Sequence, residues 1–185
     1  MRWTASLAGL VLFACAAVEP DLLGPFPADA AAARGRLVEA HRAGPVRIEV
    51  YNAPRGLPPA RVASLAAMGV SGLSVRFAVE DAPPQPRLVL RFGGGEADAL
   101  CTAPEVEPEP GTEVGAPLRL VAAFCDGRTA IAALTGIAAG PDAAAVERLV
   151  WRTTDRLFPD DYEDRYGLRL FGDRIRIGLS GEFGF

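Results

Sequence analysis

The chain has 185 residues, half of them hydrophobic and 23% charged, with a formal net charge of −4. That length accommodates one ordinary domain with a real core. The apolar share argues against wholesale disorder, and the acidic balance argues against nucleic acid or anionic lipid as the main partner. All 19 basic residues are arginine, and Asn52 and Gln85 are the only side-chain amides. No single chemistry demands that skew across a whole chain, so it reads as coding bias.

The first residues are Met1-Arg2-Trp3-Thr4, then an apolar stretch over 5–14, then Cys15-Ala16-Ala17. One positive charge, about ten apolar residues and a small-residue exit have the form of a secretory signal peptide. The stretch is too short for a permanent membrane helix, which needs about 20 residues. Leu12-Phe13-Ala14-Cys15 resembles the lipobox of bacterial lipoproteins. The resemblance implies that 1–14 is removed, that Cys15 becomes the acylated first residue, and that Ala16 permits sorting to the outer membrane, facing the periplasm. The alternative is ordinary cleavage after Ala17, releasing a periplasmic protein. Under either reading Cys15 leaves the pairing problem, and Cys101 and Cys125 remain in an oxidising compartment. A Cys101–Cys125 disulfide is expected; a redox or metal pair is the weaker alternative, because there is no CxxC and His41 is distant in sequence.

Residues 15–27 read as an acidic, proline-containing tether, and 28–185 as a single domain. Asp29 is expected to cap a helix ending near Arg42, with Leu37, Ala40 and His41 on one face and Gly44-Pro45 as the stop. Val46, Ile48 and Val50 alternate with polar residues as a half-buried strand does. Pro58-Pro59 leads into a helix over 60–68 closed by Gly69. Leu73, Val75, Phe77 and Val79 alternate again, and after a proline-rich turn Leu88, Leu90 and Phe92 form the next strand. The order to this point is β-α-β-β.

Gly93-Gly94-Gly95 opens a long excursion. Four prolines and four glutamates between Thr102 and Leu118 prevent a packed element there, and the expected disulfide would pin both its ends. Residues 118–125 and 129–138 read as a hairpin around Asp126-Gly127. The second run is almost continuously apolar, which suggests a central position in the sheet. Gly140-Pro141-Asp142 starts the clearest helix, with Val146, Leu149, Val150, Thr153 and Leu157 on one face. In the tail, after Gly172-Asp173, residues 174–185 alternate as one long amphipathic strand, with Ile175, Ile177, Leu179, Phe183 and Phe185 on its apolar side. Its aromatic end resembles the closing strand of outer-membrane barrels, but the Val146–Leu157 helix and the proline-rich loops have no place in a barrel. The strand either joins the domain's own sheet or is offered to a partner's sheet edge.

Chemistry-bearing constellations are sparse. His41 is a lone histidine near a helix end, where the helix dipole favours it. Gly69-Val70-Ser71-Gly72-Leu73 lacks the GxSxG spacing of a nucleophile elbow. Gly93-Gly94-Gly95 follows a strand as a phosphate loop would, but no GKS or GxGxxG completes it, and a flexible loop is favoured. Asp160-Asp161-Tyr162-Glu163-Asp164 is the densest acidic cluster; it has no EF-hand spacing. With Arg152, Arg156, Arg165 and Arg169 nearby, local ion pairing is its plainest role.

The expected architecture is therefore α+β: a mostly antiparallel sheet with two or three helices packed on one face. The expected function is that of a cell-envelope lipoprotein with a non-catalytic accessory, scaffold or assembly role through protein contacts, needing no cofactor and anchored to the membrane by lipid. A small-ligand or cation-binding protein is the alternative, and a hydrolase the second. No catalytic or metal-ligating residues are assigned.

Overall fold

The computed structural model describes residues 22–24, 27–102, 117–140 and 142–160. Its elements in chain order are β1 (Leu22–Leu23), α1 (Ala30–Ala43), β2 (Val46–Tyr51), α2 (Pro59–Met68), β3 (Phe77–Ala78), β4 (Arg87–Phe92), a 3-10 turn (Asp98–Cys101), β5 (Leu118–Asp126), β6 (Thr129–Ala138) and α3 (Ala143–Leu157). The strands form one sheet in the order β1-β6-β5-β4-β2-β3. The pairs β1/β6, β6/β5 and β5/β4 are antiparallel, while β4/β2 and β2/β3 are parallel. The fold is α+β with a mostly antiparallel sheet, as expected from the sequence.

Strand period two decides which side chains face the helices. Val46 and Ile48 of β2, Leu88, Leu90 and Phe92 of β4, and Leu120, Ala122 and Phe124 of β5 are buried in the main core. They pack with Ala33 and Leu37 of α1, Val62, Leu65 and Ala66 of α2, and Val146, Leu149, Val150 and Leu157 of α3. All three helices thus serve one face. The α3 stripe read from the sequence is buried at every position, Thr153 included, and Asp142 caps the helix by accepting from the Ala145 N–H at 2.9 Å. In α1, Asp29 holds the N-cap position without a side-chain cap bond, and the buried face includes Arg34 as well as Leu37.

Within the expected tether 15–27, Leu22 and Leu23 pair with Ile137 and Gly136, so the sheet reaches into that segment. Two further expectations, about strands, need correction. The run 129–138 is not central: β6 lies between β5 and the two-residue β1, and its burial alternates. On the far side Ala133, Thr135 and Ile137 are only half-buried. The strands buried on both faces are β4 and β5, because the 3-10 turn and the disulfide cover their second side. The stretch 73–79 keeps its alternation, with Val75 and Phe77 buried, but only Phe77 and Ala78 form ladder pairs, opposite Val46 and Arg47. The hairpin turn itself is Gly127-Arg128, since Asp126 pairs with Thr129. A register shift at Phe124/Cys125 leaves Ile131 as the extra residue of a bulge.

Gly136 shows why a glycine interrupts β6. A Cβ there would meet Leu149 Cδ1 and Thr153 Oγ1 at 2.8 Å and Leu23 Cδ2 at 2.9 Å. The missing side chain lets α3 and the first strand close on the sheet.

Candidate functional site

The face of the sheet turned away from the helices concentrates the unusual chemistry. Cys101 and Cys125 are disulfide-bonded there, with Cα atoms 5.6 Å apart. Both are buried with Val89, Leu100, Val121 and Ala123 in a second, smaller apolar cluster. The bridge joins the end of the 3-10 turn to β5 and closes the excursion that begins at the three glycines.

Beside that cluster Arg47 and Glu49 of β2 and Arg87 and Arg91 of β4 carry charge. Glu49 accepts from Arg47 Nε at 3.2 Å, from the Tyr51 hydroxyl at 3.2 Å and from Arg87 Nε at 3.1 Å. Arg87 also donates to the carbonyl oxygens of Gly127 and Cys101, both at 3.0 Å. A single guanidinium thus ties β2, the hairpin turn and the disulfide loop together. Four residues further along β4, Arg91 points to the same face, paired across the ladders with Tyr51 and Val121. It is 1% exposed, and among the described residues none of its three guanidinium nitrogens has a hydrogen-bond partner. Burial, and then the like charge of Arg119, push its pKa below the ordinary arginine value.

The residues singled out from the sequence are scattered. His41 is half-buried near the end of α1, and its Nδ1 is enclosed with no partner among the described residues. Ser71 donates to Asp155 Oδ1 at 2.9 Å, and its carbonyl oxygen accepts from Arg34 Nη2 at 2.7 Å. This segment is therefore the turn after α2, held to α1 through Arg34 and to α3 through Asp155. Asp160 forms an ion pair with Arg34 at 3.5 Å. Residues 161–164, together with Arg165 and Arg169, lie outside the described residues, as do Cys15 and the expected strand with Ile175, Ile177, Leu179, Phe183 and Phe185. Among the described residues no group of three His, Cys, Asp or Glu side chains could hold a metal ion, and no helix is long and apolar enough to cross a membrane.

Among the described residues β6 carries a partner strand on its outer side only at Gly136 and Ile137, and no described strand pairs with that side from Thr129 to Leu134. Met68 and Trp151 are exposed large apolar side chains, at 65% and 40%. They sit together, the indole Nε1 donating to the Met68 carbonyl oxygen at 3.0 Å.

Sequence reasoning missed Arg91, Arg119, Arg87 and Glu49. Their positions on the polar side of alternating strands read as solvent-facing. The available signal was Cys101 and Cys125: a disulfide reaching β5 from the glycine-rich excursion must lay chain over that side. Comparison with protein-family models, curated proteins and solved structures finds no match to this chain.

Proposed function

We propose that the protein is an exported cell-envelope lipoprotein, anchored through Cys15, that works without catalysis as an accessory or assembly factor through protein contacts. The observation that carries this reading is the buried Cys101–Cys125 disulfide. Disulfides of this structural kind persist in oxidising compartments and are rare in the cytosol, which agrees with the leader and the lipobox-like Leu12-Phe13-Ala14-Cys15. The proposed contact element is the amphipathic segment 174–185, with Ile175, Ile177, Leu179, Phe183 and Phe185 on its apolar side, added as a strand to the sheet edge of an envelope partner. Such augmentation draws affinity from main-chain hydrogen bonds and specificity from alternate side chains.

The test is deletion of 174–185 in the exported protein, with a photo-crosslinking residue at position 183 in the intact chain. The expected result is a crosslinked envelope protein in the intact chain, with the truncated chain keeping its disulfide and its cooperative unfolding. Loss of folding on truncation would assign the segment to the domain's own sheet and would overturn the docking role. Recovery of the chain with reduced cysteines and its leader intact would overturn the envelope reading itself.

A further inference from the structure

We propose that Arg91 and Arg119, with the glycine turn at 93–95, form a binding site for a small oxyanion of the phosphate class. The proposal goes beyond the accessory role above and does not depend on it. Its starting point is the isolation of Arg91. A guanidinium stays charged inside a protein, and an unpaired buried charge costs several kcal/mol unless a counter-charge and hydrogen bonds meet it. Arg91 is buried on the covered face of β4 with its Nε, Nη1 and Nη2 all unpartnered among the described residues. The carboxylate on the same face of β2, Glu49, is already held by Arg47, Tyr51 and Arg87.

The surroundings suit an anion. Arg119, exposed at the start of β5, approaches the same spot: its Nη2 donates to the Gly95 carbonyl oxygen at 3.2 Å, and its charge acts on Arg91. Gly95 itself lies against the Arg91 guanidinium so closely that a Cβ would fall 2.6 Å from Cζ. Two converging arginines supply two positive charges, which matches a dianionic phosphate or sulfate better than a single carboxylate. Arg119 forms the solvent-facing rim, Arg91 the floor, and Gly95 the contact that an oxyanion would replace. Positive φ values of 109° at Gly93 and 112° at Gly95 show why this turn is built from glycine, which re-forms such backbone at the least steric cost. A phosphoryl group could arrive as free phosphate or on a lipid headgroup; the chemistry recognised is the same.

The test is thermal unfolding and calorimetric titration of the purified protein with inorganic phosphate, against sodium chloride of matched ionic strength. The expected result is a saturable, phosphate-specific rise in melting temperature. Arg91→Met should abolish that response while melting no lower than the wild-type protein in phosphate-free buffer, since it removes an unpaired charge. Arg119→Gln should weaken phosphate binding by about tenfold, one charge-assisted contact. Phosphate binding without sedimentation on phosphatidylcholine vesicles containing phosphatidylglycerol identifies a free ligand; phosphate-competed sedimentation identifies a headgroup. Two results would overturn the site. One is a wild-type response no larger than that of Arg91→Met, with no vesicle binding. The other is loss of stability, without a phosphate response, when Glu105, Glu107, Glu109 and Glu113 are changed to Gln, which would place the counter-charge within the chain.

Discussion

Arg34, in the first helix, donates from Nη1 to the carbonyl oxygen of Phe158, 2.9 Å away and 124 residues later in the chain. Its Nη2 reaches the Ser71 carbonyl oxygen at 2.7 Å, and Asp160 supplies the counter-charge at 3.5 Å. One buried guanidinium therefore joins α1, the turn after α2 and the exit of α3. Arg34→Leu strips two carbonyl groups of their donor and leaves Asp160 without this ion pair. The expected loss is about 2–3 kcal/mol, from charged hydrogen bonds and newly unsatisfied acceptors, read as a lower urea midpoint with little change in slope.

Gly136→Ala tests the contact between α3 and the sheet. The added Cβ meets side-chain atoms at 2.8–2.9 Å from three directions. Leu23 can yield, but Leu149 and Thr153 are packed on the core side of α3. Overpacking of this kind costs about 1–3 kcal/mol. Denaturant titration measures it, and Gly140→Ala, where the nearest atom is 4.0 Å away, serves as the control with a much smaller effect.

Replacing both Cys101 and Cys125 with Ala should lower stability by roughly 3 kcal/mol, the chain-entropy value for a loop of this length. The sequence separation is 24 residues. Wild-type protein under reducing conditions should move in the same direction, whereas the double variant should be indifferent to reductant. Equal midpoints for the wild-type protein with and without reductant would contradict the structural role of the bridge.

Asp142→Ala removes the carboxylate that accepts from the Ala145 N–H. Its expected cost is about 1 kcal/mol, typical of an N-cap. By contrast, Phe124→Ala should cost about 3–5 kcal/mol, because Phe124 is fully buried and meets Phe158 edge to face, ring centroids 5.1 Å apart. The ordering of these two effects in one denaturation series is the measured outcome.

The lipid anchor has its own readout. Cys15→Ser should abolish incorporation of labelled palmitate and release the protein from the membrane fraction, leaving Cys101–Cys125 oxidised. Unchanged membrane association in that variant would remove Cys15 from the proposal.

Much of the local structure was legible in the residues themselves. The Val146–Leu157 stripe, the Asp142 cap, the 46–51 alternation and the presence of a hairpin near 126–129, though not its exact turn residues, each depend on neighbours within a few positions, where helix and strand periods act. The disulfide was legible for a different reason: once the leader cysteine is set aside, two cysteines allow one pairing. The strand order was not. The apolar continuity of 129–138 suggested a central strand, but small side chains satisfy that pattern without needing cover on both faces, and β4 and β5 took the centre instead.

The open chemistry of this protein was settled by packing alone. Arg87, Arg91 and Arg119 look alike in sequence, three arginines at polar positions of amphipathic strands. Tertiary structure separates them: the first is bonded to Glu49 and two carbonyl oxygens, the third is exposed and donates to the Gly95 carbonyl oxygen, and the second is buried against Gly95. Alternation along a strand assigns a side chain to a face, but whether that face meets water depends on chain arriving from elsewhere. Here the cover is the turn and disulfide between 93 and 125, which no local period encodes.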